Sequence, residues 1–386
     1  MSYRPFPYGP PLPTQRIRKV GAPLGVLIAF GMVAGLIVIL LTAVNPVGAA
    51  IGFVLSSLGI AVVLLAYLWL DRWEPEPPRL LLLAFGWGAS LAVVVSVLLE
   101  LSLESWIAPG AKTPSSASIA VGAPLIEEAA KGLFLVVMMT GRRRNQMNSL
   151  TDCLVYAGIT AAGFAWLEDI LYIAEADTLA HSLLTAAMRL VMAPFAHPLF
   201  TTMTGIGVYF ALRQRHAAGK VGCVLAGYAV AVLLHASWNG SALLGAGAYF
   251  LTYVFWMMPL FGLAITLGVT SRRREQRVVA GKLPGMVAAG LITPNEATWL
   301  GSMRDRKAAI ATATRMGGPP AGKAVRNFAA QVVELAFVRD RIDGGFGDAR
   351  VFALQHEQVQ AVVAARWAAP ILQWLAAYRV PQVPSC

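Results

Sequence analysis

From Gly21 to Thr270 the chain repeats one pattern, a continuous apolar run followed by a short polar stretch. Each run is long enough to cross the roughly 30 Å hydrocarbon layer as a helix of about 20 residues. The estimated spans are 21–44, 48–70, 80–103, 118–140, 149–175, 188–212, 221–246 and 249–270. The pattern therefore predicts an all-α, polytopic transmembrane bundle of about eight spans. The first run is too long for a signal-peptide core and is followed by Asn45-Pro46 in place of a small-residue cleavage site, so it is expected to stay as an anchor.

Composition strengthens this class assignment. Hydrophobic residues make up 57% of the chain, charged residues only 13%, and the mean hydropathy is +0.63, too apolar to coat a soluble protein of this size. The net charge of +11 sits mostly in short clusters between spans and in the C-terminal tail, which argues for membrane topology and against a nucleic-acid partner. With the N-terminus inside, the cytoplasmic stretches carry Arg72 and Arg79, then Arg142 to Arg144, then Arg213, Arg215 and Lys220, then Arg272 to Arg274 and Arg277, whereas the outer loops hold little beyond Lys112. That alternation predicts a multi-pass protein of the plasma membrane with both termini cytoplasmic. Cys153, Cys223 and Cys386 share no spacing that marks a disulfide framework or zinc knuckle.

Two flanking regions differ from the spans. Residues 1–20 combine five prolines with Arg16, Arg18 and Lys19 and read as an extended basic cytoplasmic tail. Residues 271–386 mix charges with Ala, Val and Gly and read as a soluble, helical cytoplasmic region. Within it Thr293-Pro294-Asn295-Glu296 lays out an N-cap, a first-turn proline and a capping-box acid, and Gly317 to Gly322 reads as a linker.

Ionisable side chains inside spans are costly in hydrocarbon and mark functional candidates. Glu127 and Glu128 fall within the fourth span, with Lys131 one turn on and available as an ion-pair partner. An interfacial cap after Pro124 is the structural alternative. Glu168 lies in the fifth span with Phe164 one turn before it, and Asp169 points about 100° away. His197 sits between Pro194 and Pro198 in the sixth, where kinked backbone needs protein or water around it. His235 and Asn239, four residues apart in the seventh, put an imidazole and a carboxamide on one face, or simply glue helices together. At 1.5 Å per residue from the estimated outer boundaries, Glu127, Glu168, His197 and His235 lie about 14, 10, 14 and 17 Å down. A common depth predicts a shared water-filled cavity in the outer half of the bilayer. Carboxylates, imidazoles and a carboxamide there can activate water and hold an oxyanion, whereas Cys153 and Cys223 lie toward the opposite ends of their spans.

The ordered segments Asp71-Arg72-Trp73-Glu74-Pro75-Glu76-Pro77, Glu127-Glu128-x-x-Lys131, Phe164-x-x-x-Glu168, His197 before Phe200-Thr201, and His235-x-x-Trp238-Asn239 resemble the PrsW intramembrane proteases, relatives of the CAAX-type prenyl-protein endopeptidases. The resemblance covers about residues 65 to 245; Asp169 departs from it, since Asn is expected after the Glu, and it is silent on the C-terminal region. It implies an intramembrane endopeptidase, glutamate-dependent or metal-dependent, that cuts a membrane-anchored protein such as an anti-sigma factor. On the matched positions it implies Glu127 or Glu128 as the base, Glu168 and His197 as water-positioning residues or metal ligands, and His235 and Asn239 as oxyanion partners. Lys131, Phe164 and Trp238 would support them. Zinc is the candidate cofactor, with His197, His235 and Glu168 as its ligands, although no His-Glu-x-x-His pair occurs, so any site must be assembled across spans.

Two other classes use similar residues. A proton-coupled transporter would run a Glu/His relay through the same spans, but no repeat relates the two halves of the span set. A membrane scaffold would use the buried polar groups only as helix glue.

Overall fold

The computed structural model describes residues 22–111 and 113–375; the basic tail at 1–20, Lys112 and Cys386 lie outside the described residues. Helix α1 (Leu24–Val44) is followed by α2 (Pro46–Leu70), α3 (Pro78–Ile107, with a π turn at Gly88–Ala92), α4 (Ala123–Met138, entered through a π turn at Ser118–Gly122) and α5 (Leu150–Ala174). Next come α6 (Leu179–Ala186, continuing as a π turn over Ala187–Met192), α7 (Ala196–Ala211), α8 (Ala217–Leu243) and α9 (Ala246–Ala288).

Among the described residues, seven helices are long and apolar enough to cross a membrane. The expected fourth span is absent from the seven because Glu127, Glu128 and Lys131 put three charges into α4. It is nevertheless helical along nearly its whole expected length, so the bundle is all-α and polytopic. Two ends differ from expectation. The sixth span begins at Leu179 and breaks between Met192 and Ala196, beside Pro194, leaving His197 in the first turn of α7. The last helix runs through the arginine cluster to Ala288, because Lys and Arg are good helix formers once the chain leaves the apolar layer.

Helix α5 is the axle of this unit, with nearly every residue buried. Two glycines allow α3 to lie against it: a side chain at Gly88 would strike the Thr160 carbonyl, and one at Gly163 would strike that of Phe85. The same device joins α7 to α8, where a side chain at Gly207 or Gly227 would come within 2.5 Å of the Cys223 or Met203 carbonyl. The second approach joins the two helices that carry His197 and His235. The N-terminus of α5 is closed by a capping box, Ser149 with Asp152, and Asn45 caps α2 while donating 2.8 Å to the Ala174 carbonyl.

A second compact unit covers residues from Ala280 onward. It contains α10 (Pro294–Leu300), α11 (Met303–Arg341), α12 (Ala349–Trp367) and a final turn at Leu372–Leu375. Thr293 and Glu296 form the capping box expected from the sequence. Gly317 to Gly322 is not an open linker. The chain turns sharply at Gly317 and Gly318, where φ is +74° at Gly318, and Pro319 and Pro320 start the next helical stretch, a position that tolerates a missing N–H. Trp299, Phe328, Val332 and Leu335 fill the core.

Candidate active site

Four helices each deliver polar side chains to one buried cluster. From α4, the 3.6-residue turn places Glu127, Glu128 and Lys131 on one inward stripe, and all three are buried. Lys131 Nζ lies 2.6 Å from Glu128 Oε1, 3.3 Å from Glu127 Oε2 and 3.2 Å from His197 Nδ1, with the Phe164 ring 4.3 Å away. An ammonium has only donors. His197 Nδ1 is therefore the acceptor, and its ring proton sits on Nε2, which donates 2.8 Å to Glu168 Oε2.

The second imidazole is oriented in the same manner. His235 Nδ1 donates 3.1 Å to Glu128 Oε1, and its ring stacks on Phe200 with centroids 4.8 Å apart. Its Nε2 is left with a free lone pair, 3.9 Å from Glu127 Oε2, while His197 Nδ1 stands 3.8 Å from that same oxygen. The two rings are perpendicular, with centroids 5.1 Å apart. Two unprotonated nitrogens and a carboxylate oxygen thus face one another, each ring held by a carboxylate on its far nitrogen. Histidines that bind metals are typically oriented in this way.

The two adjacent acids differ in their surroundings. Glu128 is occupied on both oxygens, by Lys131 and His235 at Oε1 and by the Thr201 hydroxyl, 2.8 Å away, at Oε2. Glu127 presents Oε2 to the space between the imidazoles. Among the described residues, Glu127, His197 and His235 form the group whose donor atoms, all within 4.8 Å of one another, suit a metal ion. A carboxylate with two imidazoles matches catalytic zinc sites, which leave a coordination position open. Glu168, an expected ligand, instead sits on the opposite nitrogen of His197.

Phe164 packs against His197 with centroids 5.5 Å apart, so this supporting residue also lines the cluster. Asn239 and Trp238 make contacts of another kind. The Asn239 carboxamide donates 3.1 Å to the Ile119 carbonyl, tying α8 to the π turn before α4, and Trp238 packs on Tyr249 with centroids 4.4 Å apart. Three residues without a sequence-assigned role belong to the cluster. Arg189 pairs with both Glu168 and Asp169 and lies over the Tyr172 ring at 4.2 Å. Its charge inside an apolar stretch is the signal the sequence offers, and it lies at the start of the run 188–212 but well inside the helical segment that begins at Leu179. Thr201 and Phe200, present in the matched motif, hold Glu128 and His235. Neither carries a charge, so the cost of burying ions in hydrocarbon does not mark them in the sequence.

Comparison with known proteins agrees with the geometry. The family model described as PrsW family intramembrane metalloprotease matches residues 76–290, a stretch that contains every residue of the cluster. A protein named Protease PrsW from Geobacillus kaustophilus (strain HTA426) is 32% identical over 162 residues, which is 41% of this chain and 66% of that protein. Another of that name from Clostridioides difficile (strain 630) is 30% identical over 155 residues, 39% of this chain and 63% of that protein. The aligned part therefore spans just under two thirds of each relative. No solved structure matches. The chain is a multi-pass membrane protein that belongs to the PrsW family of intramembrane metalloproteases.

Proposed function

We propose that this protein is an intramembrane endopeptidase that hydrolyses a peptide bond of a membrane-anchored protein, with a water activated by Glu127. The observation that carries this reading is the convergence of His197 Nδ1 and His235 Nε2 on Glu127 Oε2. A transporter relay needs proton carriers spaced along a path. Here the imidazoles are perpendicular neighbours with their protons turned outward to Glu168 and Glu128.

His197 Nδ1, His235 Nε2 and Glu127 Oε2 would hold a zinc ion, which when bound supplies Lewis-acid polarisation of water and of the scissile carbonyl. The chain's own residues do the rest. Glu127, on the carboxylate oxygen that is not in the donor set, would take the proton of the attacking water and return it to the leaving amine. Glu128, fixed by Thr201 and Lys131, keeps the His235 proton on Nδ1; Glu168, fixed by Arg189, keeps the His197 proton on Nε2. Asn239 positions α8 through the Ile119 carbonyl. Both termini face the cytoplasm on the charge alternation, and the lipid bilayer presents the substrate. A membrane-anchored regulator such as an anti-sigma factor fits this class of substrate.

The test compares membrane proteins from cells carrying the wild type or Glu127→Gln. At least one membrane-anchored protein should accumulate uncut with Glu127→Gln and return to its shorter form with the wild type. Identical profiles, with both proteins present in the membrane at equal amounts, would overturn the reading.

A further inference from the structure

We propose that Lys131 is a tethered cation occupying the metal position, so that its ammonium and a divalent ion are alternative occupants of one site. The proposal rests on reading Glu127, His197 and His235 as metal donors. Lys131 Nζ is fully buried and bonded to two of those donor atoms, Glu127 Oε2 at 3.3 Å and His197 Nδ1 at 3.2 Å. These are the same lone pairs a metal would use.

The distances exclude joint occupation. His197 Nδ1 and Glu127 Oε2 are 3.8 Å apart. With bonds of about 2.0–2.2 Å, any zinc ion bonded to both lies within about 3.5 Å of Nζ where it now stands. A divalent ion and an ammonium at that separation, out of water, repel strongly. His197 Nδ1 has a single lone pair and cannot serve both at once.

Lys131 has somewhere to go. Its shortest contact, 2.6 Å, is to Glu128 Oε1, which is not among the three donors. A four-carbon stem lets the ammonium keep that partner while leaving Glu127 and His197. Metal-free, the lysine supplies the positive charge that keeps Glu127 and Glu128 together in the bundle. When an ion binds, that charge is replaced. An equilibrium of this kind lowers apparent metal affinity by the fraction of molecules whose donors are clear.

The probe is zinc alone, titrated against full-length protein in nanodiscs in competition with a chromophoric chelator. Lys131→Met should bind zinc with a Kd at least about tenfold below that of the wild type; an equal or weaker affinity overturns the proposal. Because removal of a buried cation beside two carboxylates can prevent folding, the wild type supplies a second measurement. A structure of zinc-loaded wild-type protein should show Nζ withdrawn from His197 Nδ1. Zinc on the three donors with Nζ still in place, or no zinc on them at saturation, would overturn it equally. Neither readout uses proteolysis, so a failed cleavage experiment with Glu127→Gln leaves the affinity comparison standing on its own.

Discussion

The two units of this chain bury a glutamate with nearly the same parts and to different ends. In the C-terminal unit Glu296 is fully buried, accepts 2.8 Å from the Thr293 N–H and pairs with Arg366, whose guanidinium lies 5.0 Å over Phe328. In the membrane unit Glu128 is fully buried and pairs with Lys131, whose ammonium lies 4.3 Å over Phe164. The Glu296 group ends there and closes a helix cap. The Glu128 group continues into a second carboxylate and two imidazoles whose unprotonated nitrogens converge. A buried ion pair thus closes a helix cap in one place and borders a set of converging donor atoms in the other; the converging lone pairs make the difference.

Breaking that contrast should give the largest effect. His197→Ala and His235→Ala are each expected to lower cleavage by about 10²–10⁴-fold, the range carried by a positioned acid–base or metal-binding group. Glu296→Gln should leave cleavage within about twofold and lower the melting temperature, because a lost buried hydrogen bond to a charge costs about 1.5–3 kcal/mol. Loss of cleavage with Glu296→Gln would erase the distinction.

A smaller effect sharpens it. Arg189→Gln removes the partner of Glu168 and Asp169, and its cleavage rate should fall about 10–100-fold, as for other groups that orient a ligand histidine. Asp169→Asn on that background should recover part of the loss, since one of the two carboxylates then needs no cation. No recovery would make Arg189 a packing residue only. Thr201→Val should come next, lowering stability by about 1–3 kcal/mol through the unsatisfied Glu128 oxygen, read by thermal melting in nanodiscs.

The smallest effect concerns pH and lies outside the spans. Glu76, between α2 and α3, accepts 2.6 Å from the Tyr156 hydroxyl, and burial, together with the neighbouring Asp152 carboxylate, holds its carboxyl well above the usual range. A raised carboxyl favours the protonated form in the folded state. Its contribution is full below the ordinary glutamate value of about 4.3 and is lost as pH rises through the folded value. The melting temperature of wild type relative to Glu76→Gln should therefore fall as pH rises; a constant difference would contradict the assignment.

Much of this arrangement was legible in the sequence because hydrocarbon makes charge conspicuous. Apolar runs broken by arginine clusters marked the helices, and costly ions within them marked Glu127, Glu128, Lys131, Glu168, His197 and His235. The capping box at Thr293 was equally readable, since its residues are local. What escaped depends on tertiary direction. Asn239 shares a helix with His235 yet reaches the Ile119 carbonyl, because a carboxamide on a helix face takes whichever backbone the neighbouring segment offers. Arg189 stands at the edge of the apolar run read from the sequence, but the helical segment starts earlier, at Leu179, which puts the arginine inside it and beside Glu168. Gly317-Gly318-Pro319-Pro320 has the composition of a linker, but turns the chain between two packed helical stretches.

His197 Nδ1, His235 Nε2 and Glu127 Oε2 converge as one candidate donor set. The most direct test of this set is the zinc bound per chain at saturating zinc, measured by elemental analysis on folded wild type, His197→Ala and the His197→Ala/His235→Ala double variant. One ion per chain is expected in the wild type, weakened binding in the single variant and none at this site in the double. An unchanged stoichiometry and affinity in the double variant would contradict it.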